Sequence, residues 1–196
     1  MGSEGEQMPL FTAAEVGGTY RVRSQPTTLE ISAQALETWK QRVFSFQQAV
    51  QAQTTTQQDS LFAGAPSIDQ MAASIDPFSL PRQNIEFWRR QAIDVGVAAY
   101  YFVMDDALPL LLYVGETVKS NQRWKGEHDC KRYVQSYVEA HHSNGLRAAV
   151  NIGFYRWAPE QTRDRQLLET ALIERWRSPF NKQNWGFWGT PFVGKK

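Results

Sequence analysis

Ala99-Tyr100-Tyr101-Phe102-Val103, then Asp105-Asp106 and Pro109, then Leu110-Leu111-Leu112-Tyr113-Val114-Gly115, sets the architecture to be expected of this chain. The first run is aromatic and β-branched, which suits a pleated and largely buried strand. The two aspartates and the proline supply a turn. The leucine run is the returning strand, and Gly115 is expected to end it. The whole reads as a β-hairpin.

Toward the C-terminus, Ser120 to about His142 is polar with helical character, in two pieces. Asn144-Gly145 is a turn, and Ala148 to Trp157 reads as a third strand. Thr162 to Trp176 is an amphipathic helix expected to turn Leu167, Leu168, Ala171 and Leu172 inward, with Pro179 as its stop. The order β-β-α-β-α predicts an α+β fold: a small mixed sheet flanked by helices.

Toward the N-terminus, Leu36, Trp39, Val43, Phe46 and Val50 recur at spacings of 3, 4, 3 and 4. That period predicts a helix over about Leu29–Gln53, begun near Thr27 and Thr28, with one apolar stripe. The stripe is expected to pack on the following domain; dimerisation is the alternative. Residues 1–19 read as a flexible arm, Tyr20 to Arg23 as a short strand, and 54–67 as a Gln/Thr/Ala-rich linker. Ser79 to Arg82, with Pro81, is expected to open a second helix over Arg82–Val95. The predicted division is arm 1–19, helical extension 20–95, main domain 96–185 and aromatic tail 186–196. The tail, Trp185-Gly186-Phe187-Trp188, is expected to pack over the N-terminal helix rather than stack on bases.

The chain has 196 residues, 42% hydrophobic and 21% charged, enough for a packed core. Its net charge of +1 divides into −3 over residues 1–85 and +4 over 86–196. A mildly basic second half suits a phosphate-bearing partner. The single cysteine, Cys130, excludes an intrachain disulfide and a multi-cysteine zinc site. No run is long and apolar enough for a membrane span, and no targeting signal is visible, so a cytoplasmic protein is expected.

The hairpin and the elements after it resemble the GIY-YIG nuclease family, from Gly96 to Trp185. Ala98-Ala99-Tyr100 stands at the family's first motif, with alanines in place of its Gly and Ile. Tyr113-Val114-Gly115 matches the second. Arg123 follows Tyr113 by ten residues, where the family carries an active-site arginine. Leu168-Glu169-Thr170-Ala171-Leu172-Ile173 and Pro179-Phe180-Asn181 resemble its acidic helix and closing asparagine.

The resemblance implies a DNA endonuclease dependent on Mg²⁺ or Mn²⁺. Cutting a phosphodiester requires an activated water, an offset for charge gathering on phosphorus, and a stabilised leaving oxygen. Glu169 is the expected metal ligand, and Arg123 the always-charged fork on the phosphate. Tyr100 or Tyr113 would serve as general base while the other positions phosphate and water. The resemblance favours the first-motif tyrosine, with Tyr101 as alternative because strand side chains alternate. Asn181 would hold the core or Glu169, with Asn184 its rival. His128 is a further candidate for proton transfer or phosphate contact, followed by Tyr133. His141-His142 reads as a partner for a helix C-terminus. Lys119, Lys125, Lys131 and Arg132 could track the DNA backbone.

Gln58-Asp59-Ser60-Leu61-Phe62 and Gln7-Met8-Pro9-Leu10-Phe11 resemble peptides that bacterial replication and repair proteins insert into the sliding clamp. This implies Leu61-Phe62 and Leu10-Phe11 as pocket anchors, with Gln58 and Gln7 bonding at the rim. Delivery to DNA under repair or replication would then be expected. A restriction-type endonuclease and a catalytically silent DNA- or clamp-binding adaptor are the rival expectations.

Overall fold

The hairpin forms as β2 (Ala99–Asp105) and β3 (Leu110–Thr117) in the computed structural model, which describes residues 31–56, 66–84, 97–118 and 129–192. Tyr100 pairs with Glu116, Tyr101 with Gly115 and Val103 with Tyr113; the next pair, Met104 with Leu111, skips Leu112, which is therefore a bulge. Gly115 does not end β3, as expected from sequence, but lies inside it. The turn residue Asp105 is likewise the last residue of β2.

β4 (Val150–Tyr155) lies on the other side of β2, and the two-residue β1 (Gln83–Asn84) completes the order β1-β4-β2-β3. Every pairing is antiparallel, which corrects the mixed sheet expected from sequence while keeping the α+β class. Gln83–Asn84 also corrects the start expected for a helix at Arg82; the rest of that segment lies outside the described residues. Arg82 instead wraps the short turn Pro77–Ser79, donating to the carbonyls of Pro77, Phe78 and Leu80.

Helices cover both faces. On one face α1 (Ala33–Thr56) and α3 (Asp129–Ser143) pack on Tyr101, Val103, Leu110 and Leu112. Leu36, Trp39 and Val43 belong to that same core, so this part of the N-terminal stripe packs on the sheet. On the other face α2 (Ile68–Ser74) and α4 (Thr162–Trp176) cover Tyr100, Phe102, Met104, Leu111 and Val114. α2 is too short for its periodicity to stand out in the sequence. Ser67 and Gln70 form a reciprocal capping box at its start. α4 has the expected bounds, but Leu167 is 47% exposed rather than inward. The tail turn α5 (Trp185–Trp188) does pack on α1: Trp188 and Phe187 meet Phe46 edge-on. No helix among the described residues is long and apolar enough to cross a membrane.

β3 is an edge strand, and its outward backbone groups need partners once buried. Gln47 of α1 accepts from Leu111 N at 2.8 Å and donates to Leu111 O at 2.9 Å. Phe180 N donates to Leu112 O at 2.9 Å. Farther along, Asn181 and Glu169 serve the same edge. At the turn end, Asp105 is fully buried and takes Lys40 Nζ at 2.9 Å, Tyr137 Oη at 2.6 Å and two backbone N–H groups. Burial alone would raise its pKa; these bonds outweigh it and hold the carboxyl below its usual range.

Candidate active site

Tyr101 lies across Gly115. A Cβ at Gly115 would fall 2.3 Å from both Cζ and Oη of that phenol, so only glycine admits this packing. Tyr101 also stacks on Tyr113, with ring centres 5.9 Å apart and planes at 24°. The glycine of the Tyr113-Val114-Gly115 motif therefore seats one tyrosine beside the other.

Tyr100 faces the opposite way. Its ring lies among the residues under α4, and its hydroxyl donates to Arg165 O at 2.9 Å. The tyrosine that shares a face with Tyr113 is thus Tyr101, not Tyr100, and the preference drawn from sequence is corrected. Burial, only partly offset by Arg165, pushes the Tyr100 pKa well up. Tyr113 is half-buried, and its pKa is also well raised, first by burial, then by Tyr101, Cys130 and the charge of Glu169. It is a protonated donor at neutral pH unless a cation stands against it.

Asn181 is buried and grips the middle of the motif. Its Oδ1 accepts from Val114 N at 3.0 Å and its Nδ2 donates to Val114 O at 2.8 Å, while Ser178 Oγ fixes Oδ1 at 2.7 Å. Asn184, its rival, instead ties the end of α4, donating to Ile173 O and Ser178 O. Glu169 of α4 is half-buried, and its Oε1 accepts from Glu116 N at 3.0 Å. Asn181 and Glu169 thus hold alternate residues of one edge, next to Gly115 on either side.

The donor set suits a divalent cation of the Mg²⁺ class. Glu169 presents a half-buried carboxylate oriented by a backbone N–H, and a single carboxylate with a largely aqueous shell is what such an ion accepts. Among the described residues no group of three His, Cys, Asp or Glu converges.

Arg123, His128, Lys119 and Lys125 lie outside the described residues, as do both clamp-like peptides. Tyr133, the alternative to His128, lies on α3 with its ring packed edge-on against Phe180 and Trp185. Lys131 is half-buried on α3. Arg132 is exposed, paired with Asp129 at 2.6 Å and lying over the Tyr133 ring. His141 is buried and bonded to Tyr137 O, and burial lowers its pKa. Both histidines lie in the last turn of α3, and His142 is exposed.

Two groups near Glu169 were not singled out from sequence. Arg165, buried, forms an ion pair with Glu116 at 2.5 Å. Its position four residues before Glu169, on the same helical face, was the available signal. Comparison with protein families, with characterised proteins and with solved structures finds no match to this chain.

Proposed function

We propose that the chain is a divalent-metal-dependent phosphodiesterase acting on DNA, with Tyr113, Tyr101, Glu169 and Asn181 as the described part of its site. The observation that carries the reading is the seating of Tyr101 on Gly115 against Tyr113, with Glu169 bonded to the next residue of the same strand. A purely structural hairpin has no need to lay two phenols together at an edge held by a carboxylate.

A Mg²⁺ bound at Glu169 would offset negative charge developing on the phosphate and on the leaving oxygen. Tyr113, the more accessible phenol, donates to a phosphate oxygen or to the attacking water. Its raised pKa means that it takes a proton from water only when a cation faces it. Arg123, the phosphate-binding residue that the family resemblance implies, has that charge. Tyr101, stacked on the Tyr113 ring, is a positioning residue. Asn181 keeps Val114, and with it the strand carrying Tyr113, in register.

Incubation with flapped, branched, nicked and duplex DNA tests the reading. Cleavage of at least one substrate in Mg²⁺, abolished by EDTA, is expected; no cleavage of any in Mg²⁺ or Mn²⁺ contradicts it.

Delivery by the sliding clamp, in the cytoplasm, is a second layer of the proposal. It is carried by the two Gln-x-x-Leu-Phe peptides ending at Phe62 and Phe11. Capture on immobilised clamp should fall with Phe62→Ala and Phe11→Ala combined. Undiminished capture removes it.

A further inference from the structure

Arg165 and Glu169 stand one turn apart on α4, and both hold Glu116. Glu169 Oε1 accepts the Glu116 backbone N–H at 3.0 Å, and Arg165 Nε donates to the Glu116 carboxylate at 2.5 Å. The Arg165 side chain is 2% exposed, and three of its other four N–H groups are committed. Nη1 bonds the carbonyls of Pro159 and Glu160 at 3.1 and 3.0 Å, and Nη2 bonds Thr162 Oγ1 at 3.2 Å. The loop entering α4 thus fixes the guanidinium from behind. The Glu116 carboxylate is 22% exposed and belongs to the residue whose N–H orients the proposed metal ligand. Glu169 thus holds the backbone of Glu116, and a rigid arginine engages that residue's own carboxylate.

We propose that Arg165 is a positioning residue that masks the Glu116 carboxylate, so that the site offers a cation one carboxylate instead of two. The inference rests on the metal reading above and adds what sets the ligand count. A second carboxylate would replace water in the shell, tighten binding and favour larger, more fully ligated cations over Mg²⁺. Neutralised by the guanidinium through its Nε–H, Glu116 is kept out of that shell and does not repel Glu169.

Mn²⁺ binding to the full chain without DNA, measured by electron paramagnetic resonance, tests this. Glu169→Gln should weaken binding at least about tenfold, whereas Glu116→Gln should leave it near wild type, because its carboxylate is no ligand. Arg165→Met should tighten binding by about tenfold, and adding Glu116→Gln to it should cancel the gain. A loss with Glu116→Gln matching that of Glu169→Gln overturns the inference, as does a folded Arg165→Met protein that binds no tighter. Should Arg165→Met fail to fold, by circular dichroism, the Glu116→Gln result decides alone. A wild-type chain that binds no Mn²⁺ removes the metal reading itself and this inference with it. Retained wild-type binding with a Glu116→Gln loss sinks the inference only.

Discussion

Gly115 has no side chain, and Tyr101 occupies the space that one would fill. At the scale of single residues this contact separates two neighbouring tyrosines with identical chemistry and opposite surroundings. Tyr113→Phe should lower DNA cleavage by about 100-fold or more, the size of effect typical of a group that moves or donates a proton in the transition state. Tyr100→Phe should leave cleavage near wild type and cost about 1 kcal/mol of stability, the value of its bond to Arg165 O. Single-turnover rates and urea midpoints check both; a Tyr100→Phe protein as inactive as Tyr113→Phe would return Tyr100 to the site. Alternation along the strand was legible in the sequence, and it left Tyr100 and Tyr101 as the two options. Which phenol meets Tyr113 depends on the pairing Tyr101 to Gly115, a cross-strand register fixed by turn length and a bulge that periodicity does not encode.

At the scale of elements, the hairpin, β4 and α4 announced themselves because each is a local pattern: β-rich runs, a turn, an amphipathic stretch. α1 announced its stripe but not its polar contribution. Gln47 sits on that stripe's side and supplies an amide to both backbone groups of Leu111 and to Trp176 O. Gln47→Ala would leave these buried groups without partners, at about 3 kcal/mol. Glu37→Ala, on the exposed face of the same helix, should change stability by less than about 0.5 kcal/mol. Denaturant titration checks the pair, and equal effects would mean that α1 does not close the β3 edge. The expected helix at Arg82 failed at its start for a physical reason: Pro81 and the arginine-wrapped turn before it lead the chain extended onto β4.

At the scale of the molecule, one sheet edge is closed by groups that come from far along the chain. Gln47 reaches Leu111 across 64 residues and Asn181 reaches Val114 across 67. Lys40 meets Asp105 across 65. Such pairings are invisible to local periodicity, which is why the buried Lys40–Asp105–Tyr137 network and the Arg165–Glu116 pair were not read from sequence. Asn181 and Glu169 were singled out through the family resemblance, and they bond alternate residues of the edge, Val114 and Glu116, on either side of Gly115. That placement gives Glu169 two possible duties, bonding the Glu116 N–H and holding a cation. Glu169→Gln separates them, since the amide oxygen still accepts the N–H while the charge is gone. The decisive measurement is the single-turnover cleavage rate of Glu169→Gln in Mg²⁺, taken with its thermal midpoint. A midpoint near wild type with cleavage reduced by about 100-fold or more is the predicted result; a folded Glu169→Gln protein that cuts DNA as fast as wild type would contradict it.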